Sequence, residues 1–182
     1  MKGAVQMKKI LSLVASLTVI SGVCAAVLAY VNDLTREPIA QMLVKKTVEA
    51  ARAVLPPETA EVEKAAFADG EEYFIGKDAS GAVAGYAVKG SDPGGYGGDV
   101  VLMVGFKADR RTVVCYKTLA AAETPGLGMK LNTPEFSGQF AGRDGSSLRV
   151  RKDGGEIEAI TSATITSRAV CGAIAKASAK LR

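Results

Sequence analysis

The chain has 182 residues, room for one soluble domain of moderate size once any membrane segment is subtracted. Its 23 Lys and Arg against 19 Asp and Glu leave a net charge of +4, with no basic run joined to aromatics, which argues against a nucleic-acid interface. There is no histidine, and the 3 cysteines (Cys24, Cys115, Cys171) stand far apart, so a Ser-His-Asp triad, a Cys-His pair, a histidine-ligated zinc site, a CxxC metal site and an iron–sulfur spacing are excluded.

Lys2, Lys8 and Lys9 precede an uncharged run from Ile10 to Val31, long enough to cross a hydrocarbon core of about 30 Å. We read it as a transmembrane helix. Two other readings compete. A cleaved signal peptide has a shorter apolar region of about 7–15 residues, and a lipoprotein signal would need a small residue where Val23 precedes Cys24. Positive charge before the run, and none in excess at Asn32, Asp33, Arg36 and Glu37 after it, predicts a single-pass protein of the cytoplasmic membrane. Its N-terminus would be cytoplasmic and its C-terminal domain on the periplasmic or extracellular side. Ser12, Ser16, Thr18, Ser21 and Gly22 offer close packing to partner helices among the lipids, while a single helix without ionisable groups lines no ion path.

Glu37 to Leu55 reads as a second, stalk helix with Pro38 in its first turn and Pro56-Pro57 closing it. Strand character follows at Glu72–Ile75, Ala82–Lys89, Asp99–Phe106 and Thr112–Leu119, separated by Gly-rich turns, which predicts an antiparallel sheet. Asn132–Phe140 reads as a short helix and Leu148–Lys152 as a further strand. Val170, Ile174, Ala177 and Leu181 recur at helical spacing, so a last helix, with Ser167 as N-cap, should lay that face on the sheet. The expected class is α+β. The expected domains are a cytoplasmic tip and transmembrane helix (1–31), a helical stalk (32–56) and a ligand-binding domain (57–182).

Three segments carry the chemistry. The first, Gly94-Gly95-Tyr96-Gly97-Gly98, lies between two strands and allows close backbone approach. The second, Glu123-Thr124-Pro125-Gly126-Leu127-Gly128-Met129-Lys130, makes a rigid turn and leaves room beside a flat ligand. The third, Ile160-Thr161-Ser162-Ala163-Thr164-Ile165-Thr166-Ser167, feeds hydroxyls into a helix N-terminus, whose free N–H groups favour phosphate. Taken singly, each is more often a plain turn or a cap.

Together, in this order, they resemble the FMN-binding domain shared by the G subunit of the Rnf complex and the C subunit of the sodium-translocating NADH:quinone reductase. The resemblance runs along the whole chain. It implies an FMN carried covalently, through its phosphate, on the last Thr of the motif Asp-x-x-Ser/Thr-Gly-Ala-Thr, here Thr164, by a dedicated flavin transferase. Thr161, Ser162, Ala163, Thr166 and Ser167 belong to the same cofactor site. Thr124, Gly126, Leu127 and Gly128 would lie against the flavin, Glu123 and Lys130 would make polar contacts near the ring or phosphate, and Tyr96 and Gly97 would shape the facing turn. The chain departs from the motif at Glu158, where Asp is usual, and at Ser162, where Gly is usual; Ser enters the left-handed region at some cost.

The implied role is an electron-carrier subunit of a membrane ferredoxin:NAD oxidoreductase that couples electron transfer to Na⁺ or H⁺ movement, its partners being the other subunits. No catalytic site of its own is expected. The compact length fits the Rnf subunit better than the quinone-reductase one. A membrane-tethered module binding phosphate or flavin reversibly, and a stand-alone flavin reductase, are the other readings.

Overall fold

The structure, a computed structural model, describes residues 2–182, with the side chains at 2–6 and 8 excepted. Met1 and the Lys2 and Lys8 side chains, two of the charges behind the orientation, therefore lie outside the described residues. The chain divides into two units, one reaching Lys45 and the other Lys46–Arg182.

The described residues of the first unit are helical, as part of α1 (Lys2–Val54). Its apolar residues, among them Leu11, Leu13, Leu17, Leu28 and Tyr30, are exposed, and α1 is long and apolar enough to cross a membrane. An exposed, uncharged helical surface of this kind is stable only in an apolar surround or against a partner. The separate stalk helix expected to start at Glu37 is instead continuous with what precedes it, and Pro38 lies inside α1. Loss of one backbone hydrogen bond at a proline, about 3 kcal/mol in a helix interior, is here outweighed by helix-forming residues on both sides.

The second unit is an antiparallel meander in the order β1-β2-β3-β4-β5, with β1 at Glu61–Ala66, β2 at Glu72–Lys77, β3 at Val83–Gly95, β4 at Gly98–Lys107 and β5 at Val113–Ala120. Asp residues set two of the turns. Asp78 accepts from the Ser80 and Ala82 N–H groups, and Asp109 from those of Arg111 and Thr112. β1 goes beyond the expected strands: Glu61, Glu63 and Lys64 give it no apolar alternation, and it forms because β2 supplies a complete ladder of partners.

β4 is buried on both faces, which is why it reads as an apolar run. Val100, Leu102, Val104 and Phe106 point into a large core closed by α3 (Thr164–Lys180). Met103 points the other way, into a smaller core closed by Ala50, Ala51, Val54 and Leu55 at the end of α1. Val170, Ile174, Ala177 and Leu181 are all buried beneath α3, as the spacing predicts.

The crossing from β5 to α3 holds only α2 (Pro134–Ser137) and three short 3₁₀ turns, Gly128–Asn132, Gly138–Phe140 and Arg151–Asp153. The helix expected over Asn132–Phe140 is broken into pieces because Pro134 can only start a helix. Edge-on contacts of Phe140 with Tyr116 and Phe136 pin the pieces to the core, and the Tyr116 hydroxyl donates to the Leu131 carbonyl at 2.5 Å. Burial raises the Tyr116 phenol well above its usual range. Leu148–Lys152 is not a strand: Val150 makes a single bridge to Ile157, and the chain turns at Gly154 in the left-handed region.

Candidate functional site

A cavity of about 550 Å³ opens where the three sequence segments converge. Tyr96 comes from the β3–β4 turn, Glu123, Thr124, Leu127 and Gly128 from the loop after β5, and Ser162 to Thr166 from the start of α3. Its volume lies in the range of about 300–1,000 Å³ usual for small-molecule sites. Tyr96 is 73% exposed, Ile165 48% and Leu127 42%, so the cavity has an exposed apolar rim.

The N-terminal junction of α3 is built from hydroxyls. The Ala163 N–H donates to the Ile160 carbonyl at 2.9 Å, closing a turn whose third residue, Ser162, has φ +63°. A turn with positive φ only at that position is a type II turn, the place where Gly is favoured, so Ser162 bears a strain of about 1–2 kcal/mol. Ser167, expected as the N-cap, lies instead inside the first turn of a helix that starts at Thr164. It is fully buried, donates to the Ala163 carbonyl at 2.9 Å and accepts from the Ile160 N–H at 3.0 Å. The side chain thus ties the strained turn to the helix and offers nothing to a ligand.

Ala163 occupies the N-cap position and makes no side-chain capping bond, and the first turn of α3 has no acidic residue. Ala163 to Thr166, whose N–H groups include the orphan donors of a helix start, line the cavity. Thr164 is partly exposed at the first helical position, and its hydroxyl has no hydrogen-bond partner among the described residues.

Glu123 joins the three segments. It is 7% exposed. One carboxylate oxygen accepts from the Tyr96 N–H at 2.9 Å and the Gly97 N–H at 3.4 Å, and the other accepts from the Thr166 hydroxyl at 2.8 Å. Two glycines make room for this arrangement: a Cβ on Gly97 would stand 1.7 Å from the Ala122 carbonyl oxygen, and one on Gly128 would stand 2.4 Å from the Glu123 carboxylate.

Of the residues singled out in the sequence, Tyr96, Glu123, Thr124, Leu127, Gly128, Ser162, Ala163, Thr164 and Thr166 line the cavity. Gly97 and Gly126 shape its turns from behind, Gly126 at φ +76°. Lys130 and Thr161 face a neighbouring groove of about 380 Å³ shared with Glu158. A third depression, of about 270 Å³, brings Arg151 and Lys152 round to Thr161, Ser162 and Thr164. Ile165 was missed; an apolar residue left exposed between two threonines at a helix start was its only signal. Arg151 and Lys152 carried none, because a loop brings them in. That loop is tethered by Asp153, which accepts twice from the Arg168 guanidinium at 2.7 Å and is held below the usual carboxylate range by it. Cys171, buried beneath α3, has its thiol pushed up to about 12 by burial.

Residues 95–179, which include every one of these site residues, match the family model of the FMN-binding domain. Over 174 residues the chain is 33% identical to the G subunit of an ion-translocating oxidoreductase complex from Methanosarcina acetivorans, covering 92% of each chain. It is 34% identical over 178 residues to the G subunit of a Na⁺-translocating ferredoxin:NAD⁺ oxidoreductase complex from Acetobacterium woodii, covering 87% of this chain and 84% of that one. Among solved structures, NqrC of Shewanella oneidensis is similar with a TM-score of 0.48 and 22% identity, over 69% of this chain and 66% of that one. The chain belongs to the family of G subunits of ion-translocating oxidoreductase complexes and carries that family's FMN-binding domain.

Proposed function

We propose that this protein is the membrane-anchored electron-carrier subunit of an Rnf-type complex, holding FMN as a phosphate ester on Thr164. The observation that carries the reading is the placement of Thr164: a partly exposed hydroxyl without a partner, at the first residue of α3, in the wall of a cavity of about 550 Å³. A phosphate ester requires a hydroxyl, and the free N–H groups of the helix start offset phosphate charge. The apolar rim of Tyr96, Leu127 and Ile165 suits the face of a flat ring, so the residues present fit FMN. When bound, FMN supplies one- and two-electron chemistry.

Each residue has a part in that reading. Ser162 and Ser167 set the turn that presents Thr164, Glu123 holds the facing turn and Thr166 in register, and Leu127 and Ile165 would offer apolar surface to the ring. Arg151 and Lys152 bring positive charge to the other side of Thr164, where a phosphate would stand. Lys130 and Thr161 border the adjoining groove, from which they would reach the ring or phosphate as polar contacts. Attachment is made by a flavin transferase, and electrons are exchanged with other subunits. Residues 1–31 tip and span the cytoplasmic membrane with the N-terminus inside, 32–56 form the stalk, and 57–182 hold the flavin on the outer side.

The test is the intact mass of the membrane-purified chain, expressed with a flavin transferase, together with in-gel flavin fluorescence after denaturation. Wild type should be heavier by one FMN residue and fluorescent, and Thr164→Val neither. An unmodified wild type would sink the ester and favour a module that binds phosphate reversibly.

A further inference from the structure

Glu123 is a buried carboxylate with no Lys or Arg nitrogen within ion-pair distance among the described residues. Its partners are three neutral donors, two backbone N–H groups and one hydroxyl. A buried charge without a counter-charge is expensive, and an amide of the same shape would spare that expense, so its presence in the wall of a ligand cavity points to a use for the charge itself.

We propose that Glu123 is a positioning residue that also sets the potential of the flavin, holding it low. The inference rests on the reading that FMN occupies the cavity. Two-electron reduction, by dithionite for instance, delivers two electrons from the reductant and takes one proton from solvent, so the ring gains one negative charge. A fixed carboxylate in the same wall opposes that gain. Within about 10 Å, at an effective dielectric near 20, one unit charge changes such an equilibrium roughly tenfold. The three donors partly offset the charge, so removing a donor and removing the charge should move the potential in opposite directions. A merely structural role would loosen the site in both cases and move it the same way.

The experiment is a dithionite titration, against a dye of known potential, of the full-length flavin-loaded protein in detergent for wild type, Glu123→Gln and Thr166→Val. Glu123→Gln should raise the reduction equilibrium constant about tenfold, about 30 mV for a two-electron couple. Thr166→Val, which strips one donor from the carboxylate, should lower it. Unchanged potentials, or shifts of the same sign, in variants that carry flavin would overturn the proposal and leave the Thr164 ester standing. If Glu123→Gln fails to fold or load, Thr166→Val decides alone: a lowered potential supports the proposal, and an unchanged or raised one overturns it. A wild type without attached flavin would sink the underlying reading and this one with it.

Discussion

The two ends of α3 are buried by opposite means. Along its body Val170, Ile174, Ala177 and Leu181 are apolar, tightly enclosed and silent chemically. At its start Thr166 and Ser167 are just as deeply buried but polar, Ser162 is strained, and Glu123 reaches in from another segment to satisfy the hydroxyl of Thr166. Apolar burial stabilises the fold directly, at about 25 cal/mol per Å². Polar burial gains little net energy but is intolerant of loss, since each group left without a partner costs about 1–3 kcal/mol. One helix therefore serves as a stabilising strut at one end and a geometric instrument at the other.

The comparison breaks most readily at Thr164. Thr164→Val should abolish flavin attachment while leaving the thermal midpoint of the unloaded protein essentially unchanged, since the hydroxyl holds nothing in the fold; a fall of many degrees would give it a structural role instead. Ile174→Ala should do the reverse, destabilising by about 2–5 kcal/mol in urea unfolding while the folded fraction still accepts flavin. Ser167→Ala belongs to both ends, leaving the Ile160 N–H without its acceptor, and should destabilise by about 1–3 kcal/mol and also slow attachment. A Ser167→Ala protein that loads at the wild-type rate would show that the turn does not present Thr164.

Smaller effects sharpen the contrast. Ser162→Gly should relieve the left-handed residue and stabilise by about 1 kcal/mol, with attachment at least as fast as in wild type. Last comes the Arg168 tether. Asp153 has its carboxyl held low by Arg168, so the stability it contributes is present above its ordinary value of 3.8 and is lost as pH falls through the lower folded-state value. Asp153→Asn should flatten that acid limb of the thermal midpoint and leave neutral behaviour nearly unchanged, because the pair is exposed.

Much of the fold follows from local pattern. Four of the strands and the buried face of α3 appear where apolar pattern and helical spacing place them, because each has an apolar face to bury, and β4 has two. β1 was illegible, since an edge strand of charged residues owes its conformation to its neighbour's unpaired groups. The Leu148–Lys152 stretch misled for the opposite reason: a strand-like composition met no partner beyond Val150, and Gly154 turned the chain away. Ser167 misled too, because a hydroxyl suited to capping was buried one turn further in.

For the site, sequence alone determined which chemical groups are available: no histidine or clustered cysteines, a hydroxyl-rich segment leading into a helix, two glycine-rich turns and a long uncharged N-terminal run. Those are properties of residue type and short spacing. Only the tertiary structure decided that Glu123 bridges residues 27 and 43 positions away, that Arg151 and Lys152 stand beside Thr164, and that Ser162 pays the strain of a turn usually given to glycine. Long-range hydrogen bonds and loop returns leave no period in a sequence, because their partners are chosen by how the sheet and helix pack.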